Sequence, residues 1–124
     1  MKIIIKFTSY QVEAELLETQ TGRAIYEALP LQENVNRWGD EFYFGIPVHS
    51  VLEPEAKAEV QAGDLAYWPS MPAFCIFFGP TPVSTGSTPV AASPVNVFGR
   101  LSILDAETLR SIPDGEAIRI EKAD

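Results

Sequence analysis

Ala73-Phe74-Cys75-Ile76-Phe77-Phe78 is the most apolar run of this 124-residue chain, and its reading decides the fold. Six apolar residues with no alternation describe a strand buried on both faces, or one that lines a pocket with one of them. From Leu65 to Gly99, around that run, 35 successive residues include no Asp, Glu, Lys, Arg or His. The chain as a whole holds 17 acidic and 9 basic residues, for a formal net charge of −8. The interval is long enough on paper to cross a bilayer. Pro69, Pro72, Pro80, Pro82, Pro89 and Pro94 interrupt it, however, and a spanning helix needs about 20 mostly apolar residues. A soluble protein is expected.

Alternating segments flank this interval. In Lys2–Phe7, Ile3, Ile5 and Phe7 share one face, and Val12–Leu16 alternates again, so the two strands form a hairpin around Ser9-Tyr10-Gln11. Thr19 or Thr21 caps a short helix with Ala24, Ile25, Ala28 and Leu29 on one face and Pro30 at its end. Asn34 to Asp40 is turn-rich. Glu41–Val48 sets Phe42, Phe44, Ile46 and Val48 on one side of a strand that Pro47 marks as an edge or an end. Pro54 to Gln61 is surface loop or short strand, and Gly63-Asp64 turns the chain into Leu65–Trp68.

Beyond the central run, Gly79 to Ser93 has the composition of a loop, and 15 residues is long for one; such loops are usually functional or mobile. Pro94–Leu101 reads as a strand. Asp105 caps a second helix through Ile112, stopped by Pro113, and Asp114-Gly115 leads into the alternating Ala117–Glu121. About eight short strands and two helices, with no βαβ alternation, predict a mostly β protein. A closed barrel is favoured because it leaves no exposed edges. Residues 1–124 are expected to form a single domain.

Nucleic acid is an unsuitable partner for nine scattered cations outnumbered by acids, because counterion release from phosphates needs clustered Lys and Arg. The same acidity disfavours anionic membranes. The lone Cys75 cannot form an intramolecular disulfide, and the N-terminal apolar stretch is too short for a signal peptide, so a cytoplasmic prokaryotic protein is expected. One His and one Cys cannot build a His/Cys zinc shell, the acids lack calcium-loop spacing, and no nucleotide fingerprint is present. Neither a metal nor a cofactor is expected.

The order of motifs resembles a known fold. Gly63-Asp64-Leu65-Ala66, the aromatic strand Phe74–Phe78 and Val97-Phe98-Gly99-Arg100-Leu101 before a capped helix look like the second half of a cyclophilin. A closer similarity is to the small prokaryotic cyclophilin-like proteins. It runs through Trp38-Gly39-Asp40-Glu41-Phe42-Tyr43-Phe44, Gly63-Asp64 with Tyr67-Trp68-Pro69, Phe77-Phe78-Gly79-x-Thr81-Pro82, and Val95-Asn96-Val97-x-Gly99, and covers nearly the whole chain. The resemblance implies a closed cyclophilin-like β-barrel with two helices and no settled reaction. Cyclophilins isomerise X-Pro bonds with an Arg and a His on one strand and a Gln on another. Here Glu41–Val48 holds neither Arg nor His, and the strand Phe74–Phe78 has no Gln, so efficient prolyl isomerisation is not expected.

Two clusters are candidates for chemistry. In the first, Arg37 offers a guanidinium to an anionic or carbonyl group beside Trp38, with Asp40 or Glu41 as acid or base; the alternative is a plain turn whose arginine is paired at the surface. In the second, Trp38, Tyr43, Tyr67, Trp68, Phe74 and Phe77 offer aromatic walls for a ligand, or else fill the core. His49 reads as a surface residue, and Cys75 as a buried, inert thiol. The leading expectation is a non-catalytic or weakly catalytic module binding a peptide or small molecule at an uncharged aromatic groove. The alternatives are a diverged enzyme acting at that groove, and a subunit that buries its uncharged surface in a homo-oligomer.

Overall fold

The computed structural model describes residues 1–123. Strands β1 (Lys2–Phe7) and β2 (Gln11–Leu16) form the expected hairpin, with Ile3, Ile5 and Phe7 of β1 and Val12, Ala14 and Leu16 of β2 buried. Helix α1 (Gln20–Ala28) begins at Thr19, whose side chain accepts from the Gly22 amide. It buries Thr21, Gly22 and Ile25. The chain continues through β3 (Leu31–Asn34), β4 (Asn36–Arg37), β5 (Glu41–Gly45), β6 (Lys57–Glu59), β7 (Asp64–Trp68), β8 (Ala73–Phe77) and β9 (Val90–Leu101). Helix α2 (Ala106–Arg110) and β10 (Ala117–Lys122) complete it.

One sheet of ten strands runs in the order β3-β10-β1-β2-β9-β7-β8-β5-β4, with β6 paired to β9 off this path. The expectation of a closed barrel of about eight strands is corrected on both counts. The count is higher because β3, at the edge of the turn-rich Asn34 to Asp40, and β4, inside it, are two short strands not expected from the sequence. Gln32, Glu33, Asn34 and Asn36 are exposed, so no alternation betrays them. The hydrogen-bonded path is also open. Its ends, β3 and β4, are consecutive in the chain and joined by Val35 rather than paired with each other. Val35 is itself held by the Asp114-Gly115 turn, donating to Glu116 O and accepting from the Gly115 amide.

Inside the curved sheet lies the main core, where Phe42, Phe44, Phe74, Phe78 and Phe98 pack together with Ile3, Ile5 and Ile25. Phe74 stacks on Phe44 and meets Phe98 edge-on, both at centroid distances near 5 Å that favour aromatic pairs. A second apolar cluster sits on the opposite face of β7, β8 and β9: Val60, Ala66, Ala73, Cys75, Phe77, Ala91 and Val95. Gly99 permits the approach of β9 to β2, because a Cβ there would lie 2.7 Å from Glu15 O.

The uncharged loop is shorter than expected. Strand β9 starts at Val90 rather than Pro94, and its early residues recruit β6 through the pairs Lys57↔Val95 and Glu59↔Val90. Residues 79–89 close on themselves: Thr81 donates to Val90 O, and Ser84 accepts from the Thr81 amide and donates to Thr88 O.

Candidate functional site

Strand period sorts the candidate residues onto two faces. Along β5, Phe42 and Phe44 point into the main core while Glu41 and Tyr43 point away from it; along β8, Phe74 and Ile76 oppose Cys75 and Phe77. Cross-strand register places Tyr43 opposite Cys75 and Glu41 opposite Phe77, and Ala66 of β7 flanks Cys75 from the other side. The face turned away from the main core therefore collects one carboxyl, one phenol and one thiol on adjacent strands.

A cavity of about 220 Å³ opens on this face, lined by Trp38, Glu41, Tyr43, Trp68, Cys75, Ala91, Ala92 and Val95. Glu41, Cys75, Ala91 and Val95 are buried and form its floor; Trp38, Tyr43 and Trp68 are half-buried and Ala92 is exposed at its mouth. The Trp68 indole N–H donates to Ser93 Oγ at 2.6 Å, which fixes the orientation of that ring. Trp38 is presented by the tight turn between β4 and β5, closed by its amide donating to Glu41 O. Gly39 in that turn adopts φ 61, and a Cβ there would lie 2.8 Å from Pro82 Cδ. Asp40 N donates to Pro80 O and Phe78 N to Asp40 O, so Trp38-Gly39-Asp40-Glu41 and Phe78-Gly79-x-Thr81-Pro82 are two halves of one joint.

The floor is electrostatically unusual. Burial pushes the Glu41 carboxyl up from 4.5 to about 7, an effect partly offset by its hydrogen bond with the Cys75 thiol. Burial, and then the neighbouring Glu41 charge, push the Cys75 thiol well above its ordinary range. The thiol therefore stays protonated and is no nucleophile, whereas Glu41 is poised to gain or lose a proton near neutrality. Among the described residues no group of three or more His, Cys, Asp and Glu side chains gathers at a metal-binding distance.

Arg37 and Asp40 are engaged elsewhere. The Arg37 guanidinium donates to Arg110 O and Ile112 O at the end of α2 and to Gly39 O, and lies over the Phe42 and Phe78 rings. Asp40 accepts from Arg110 Nε at 2.8 Å, with Arg37 Nη2 3.7 Å from its other oxygen. Gly79 makes room for that carboxylate, since a Cβ would lie 2.3 Å from Asp40 Oδ2. These groups fasten α2 to the sheet and do not line the cavity.

The remaining candidates are distributed by the same alternation. Tyr67 and Phe74 belong to the main core, and the Tyr67 hydroxyl donates to Val48 O and accepts from the Ser50 amide. Phe77 is on the cavity side but packed inside the second cluster, away from the lining. His49 is exposed. Cys75, read from the sequence as a buried, inert thiol, is buried and forms part of the floor. Ala91, Ala92 and Ser93 were hidden in what reads as loop. Asn96, quoted from the sequence as a motif residue without a role, is buried and joins Glu53 N, Val51 O and Thr21 Oγ1, tying the segment after β5 to α1 and β9.

Comparison with known proteins gives a consistent account. Residues 1–121 match the family described as Cyclophilin-like, and the chain belongs to that family. It is similar to a hypothetical protein from Archaeoglobus fulgidus whose structure was solved in solution. The two are 41% identical, with a TM-score of 0.82, over 99% of this chain and 95% of that one. No curated protein matches the chain.

Proposed function

Starting from membership of the Cyclophilin-like family, we propose that this chain is a single-domain binding module for a small, largely apolar ligand held in the cavity between Trp38 and Trp68. The observation that carries this reading is the cavity itself: a buried floor of Cys75, Ala91 and Val95 beneath a half-buried aromatic mouth. Apolar walls with a few placed polar groups are the usual make-up of small-molecule sites. An apolar cavity of about 150 Å³ accepts benzene, so about 220 Å³ has room for one ring with a short substituent, or for one side chain of a peptide. Binding without efficient catalysis is favoured because Arg37 and Asp40 are committed to α2, which leaves Glu41 as the cavity's one group that titrates near neutrality. The excess of acids over bases argues against nucleic acid and anionic membranes as partners.

The test is a thermal-shift and tryptophan-fluorescence titration with single-ring compounds. At 100 times its Kd a ligand adds about 2.7 kcal/mol of stability, a plain rise in Tm, with an accompanying change in indole emission. Trp68→Ala should abolish both responses. A panel in which no compound raises Tm or alters the emission refutes the proposal.

A further inference from the structure

We propose that the ligand is a small organic amine bound as its ammonium ion, with its apolar body between the Trp38 and Trp68 indoles and its N–H groups directed at the Glu41 carboxylate. The inference rests on the cavity being a ligand site, as argued above, and adds the chemical class. Of the eight lining residues, Glu41 is the one with a formal charge. The walls from β7, β8 and the start of β9 come from Leu65–Gly99, the stretch without ionisable Asp, Glu, Lys, Arg or His, so the fold sets no cation in them. The nearest arginine in sequence, Arg37, is turned to the α2 carbonyls; Arg110 pairs with Asp40 and Arg100 with Asp64. Lys57 and Glu59 are exposed on β6, outside the lining.

A buried carboxylate without a counter-ion is costly, and a ligand cation relieves that cost where a neutral or anionic ligand does not. The aromatic mouth points the same way. Trp and then Tyr are the preferred partners of organic cations, and Trp38, Trp68 and Tyr43 border the same space. The net charge of −8 attracts a cation and repels an anion at long range.

Proton linkage supplies a signature. The Cys75 thiol from β8 hydrogen-bonds Glu41, and the cavity lining around them adds Tyr43 from β5, Trp38 from the β4–β5 turn and Trp68 from β7; β9 contributes Ala91, Ala92 and Val95, none of which titrates. Pairing with an ammonium draws Glu41 down from about 7, so binding at lower pH expels its proton. Affinity should climb by about tenfold per pH unit below that value, level off above it, and fall again only when the amine itself deprotonates.

The experiment is calorimetric titration of the full chain with 2-phenylethylamine, 2-phenylethanol and phenylacetate, from pH 5 to pH 8.5. The expected result is an amine at least about tenfold tighter than the alcohol at pH 7.5, with phenylacetate weakest and only the amine following the pH profile above. In Glu41→Gln the amine should lose both its advantage over the alcohol and its dependence on pH. Equal affinities of amine and alcohol for the unaltered protein overturn the amine assignment and leave the cavity as a ligand site. Binding by none of the three probes overturns both. The comparison within the unaltered protein decides the matter even if Glu41→Gln does not fold.

Discussion

Phe74 and Cys75 are adjacent on β8, and the two sides of the sheet they face were built to different ends. Behind Phe74, Phe44 and Phe98 close the main core, and Tyr67 finds partners for its hydroxyl in Val48 O and the Ser50 amide. Behind Cys75, the same strands carry Ala66, Ala73 and the half-buried Tyr43 and Trp68 beside the buried Phe77, and leave space above a carboxyl. Strands β5, β7 and β8 thus hold a rigid side and a side with room, one residue apart. Packing on the first side fixes the strand register that shapes the cavity on the second and sets a poised acid at its floor. A loop could not hold Glu41, Tyr43 and Cys75 in such fixed register.

The largest expected effect tests whether the sides differ as described. Phe74→Ala removes a ring at the centre of the main core and should cost about 3–5 kcal/mol, read as a lower urea midpoint with an unchanged slope. Trp68→Ala, on the half-buried mouth, should cost about 1–2 kcal/mol while removing ligand responses. Equal costs would make both sides core and would break the distinction.

Next in size is the pH dependence of stability. Glu41 holds its proton more tightly in the folded protein, at about 7, than in the unfolded chain, at about 4.5. Stability therefore falls as pH rises between those values and remains lower above them. The shift corresponds to about 3 kcal/mol. Glu41→Gln should flatten that slope and raise the urea midpoint at pH 8 relative to pH 4.5. A slope that persists in Glu41→Gln would place the proton on another group. Arg37→Met should cost about 2 kcal/mol through the carbonyls it leaves unpaired at the end of α2, with ligand affinity unaltered. A matching loss of affinity would return Arg37 to the site.

What was legible in the sequence follows from the same two-sidedness. Alternation in Lys2–Phe7 and Val12–Leu16 was enough to define the hairpin, since one side of it is exposed and charged. Thr19 and Pro30 bracketed α1 closely. In Ala73–Phe78 alternation vanishes because both sides are apolar. Nothing local then says that Cys75 faces a cavity and Phe74 a core; only pairing with β5 decides it. Hence Tyr67, Phe74 and Phe77 could not be separated from Trp38, Tyr43 and Trp68 by residue type alone. Arg37 stands next to Trp38 in sequence, but the β4–β5 turn sends the two side chains to different places. The strands β3 and β4 were illegible because their exposed residues are polar and only Leu31 and Val35 are buried.

The smallest effect addresses how the roomy side is kept in order. Ser93 Oγ accepts the Trp68 indole N–H, and Ser93 is itself half-buried, so water can replace it in Ser93→Ala. Global stability should therefore fall by no more than about 1 kcal/mol. The indole gains rotational freedom, and a cation that depends on the face of that ring should bind several-fold more weakly, whereas a neutral ligand that needs only apolar contact should be affected less. Time-resolved anisotropy of Trp68, with Trp38→Phe as background, reads the freedom directly. If the anisotropy falls and amine affinity does not, the ring is a passive wall and its orientation plays no part in recognition. If both fall together, the cavity side is preorganised by hydrogen bonding, as the core side is by packing.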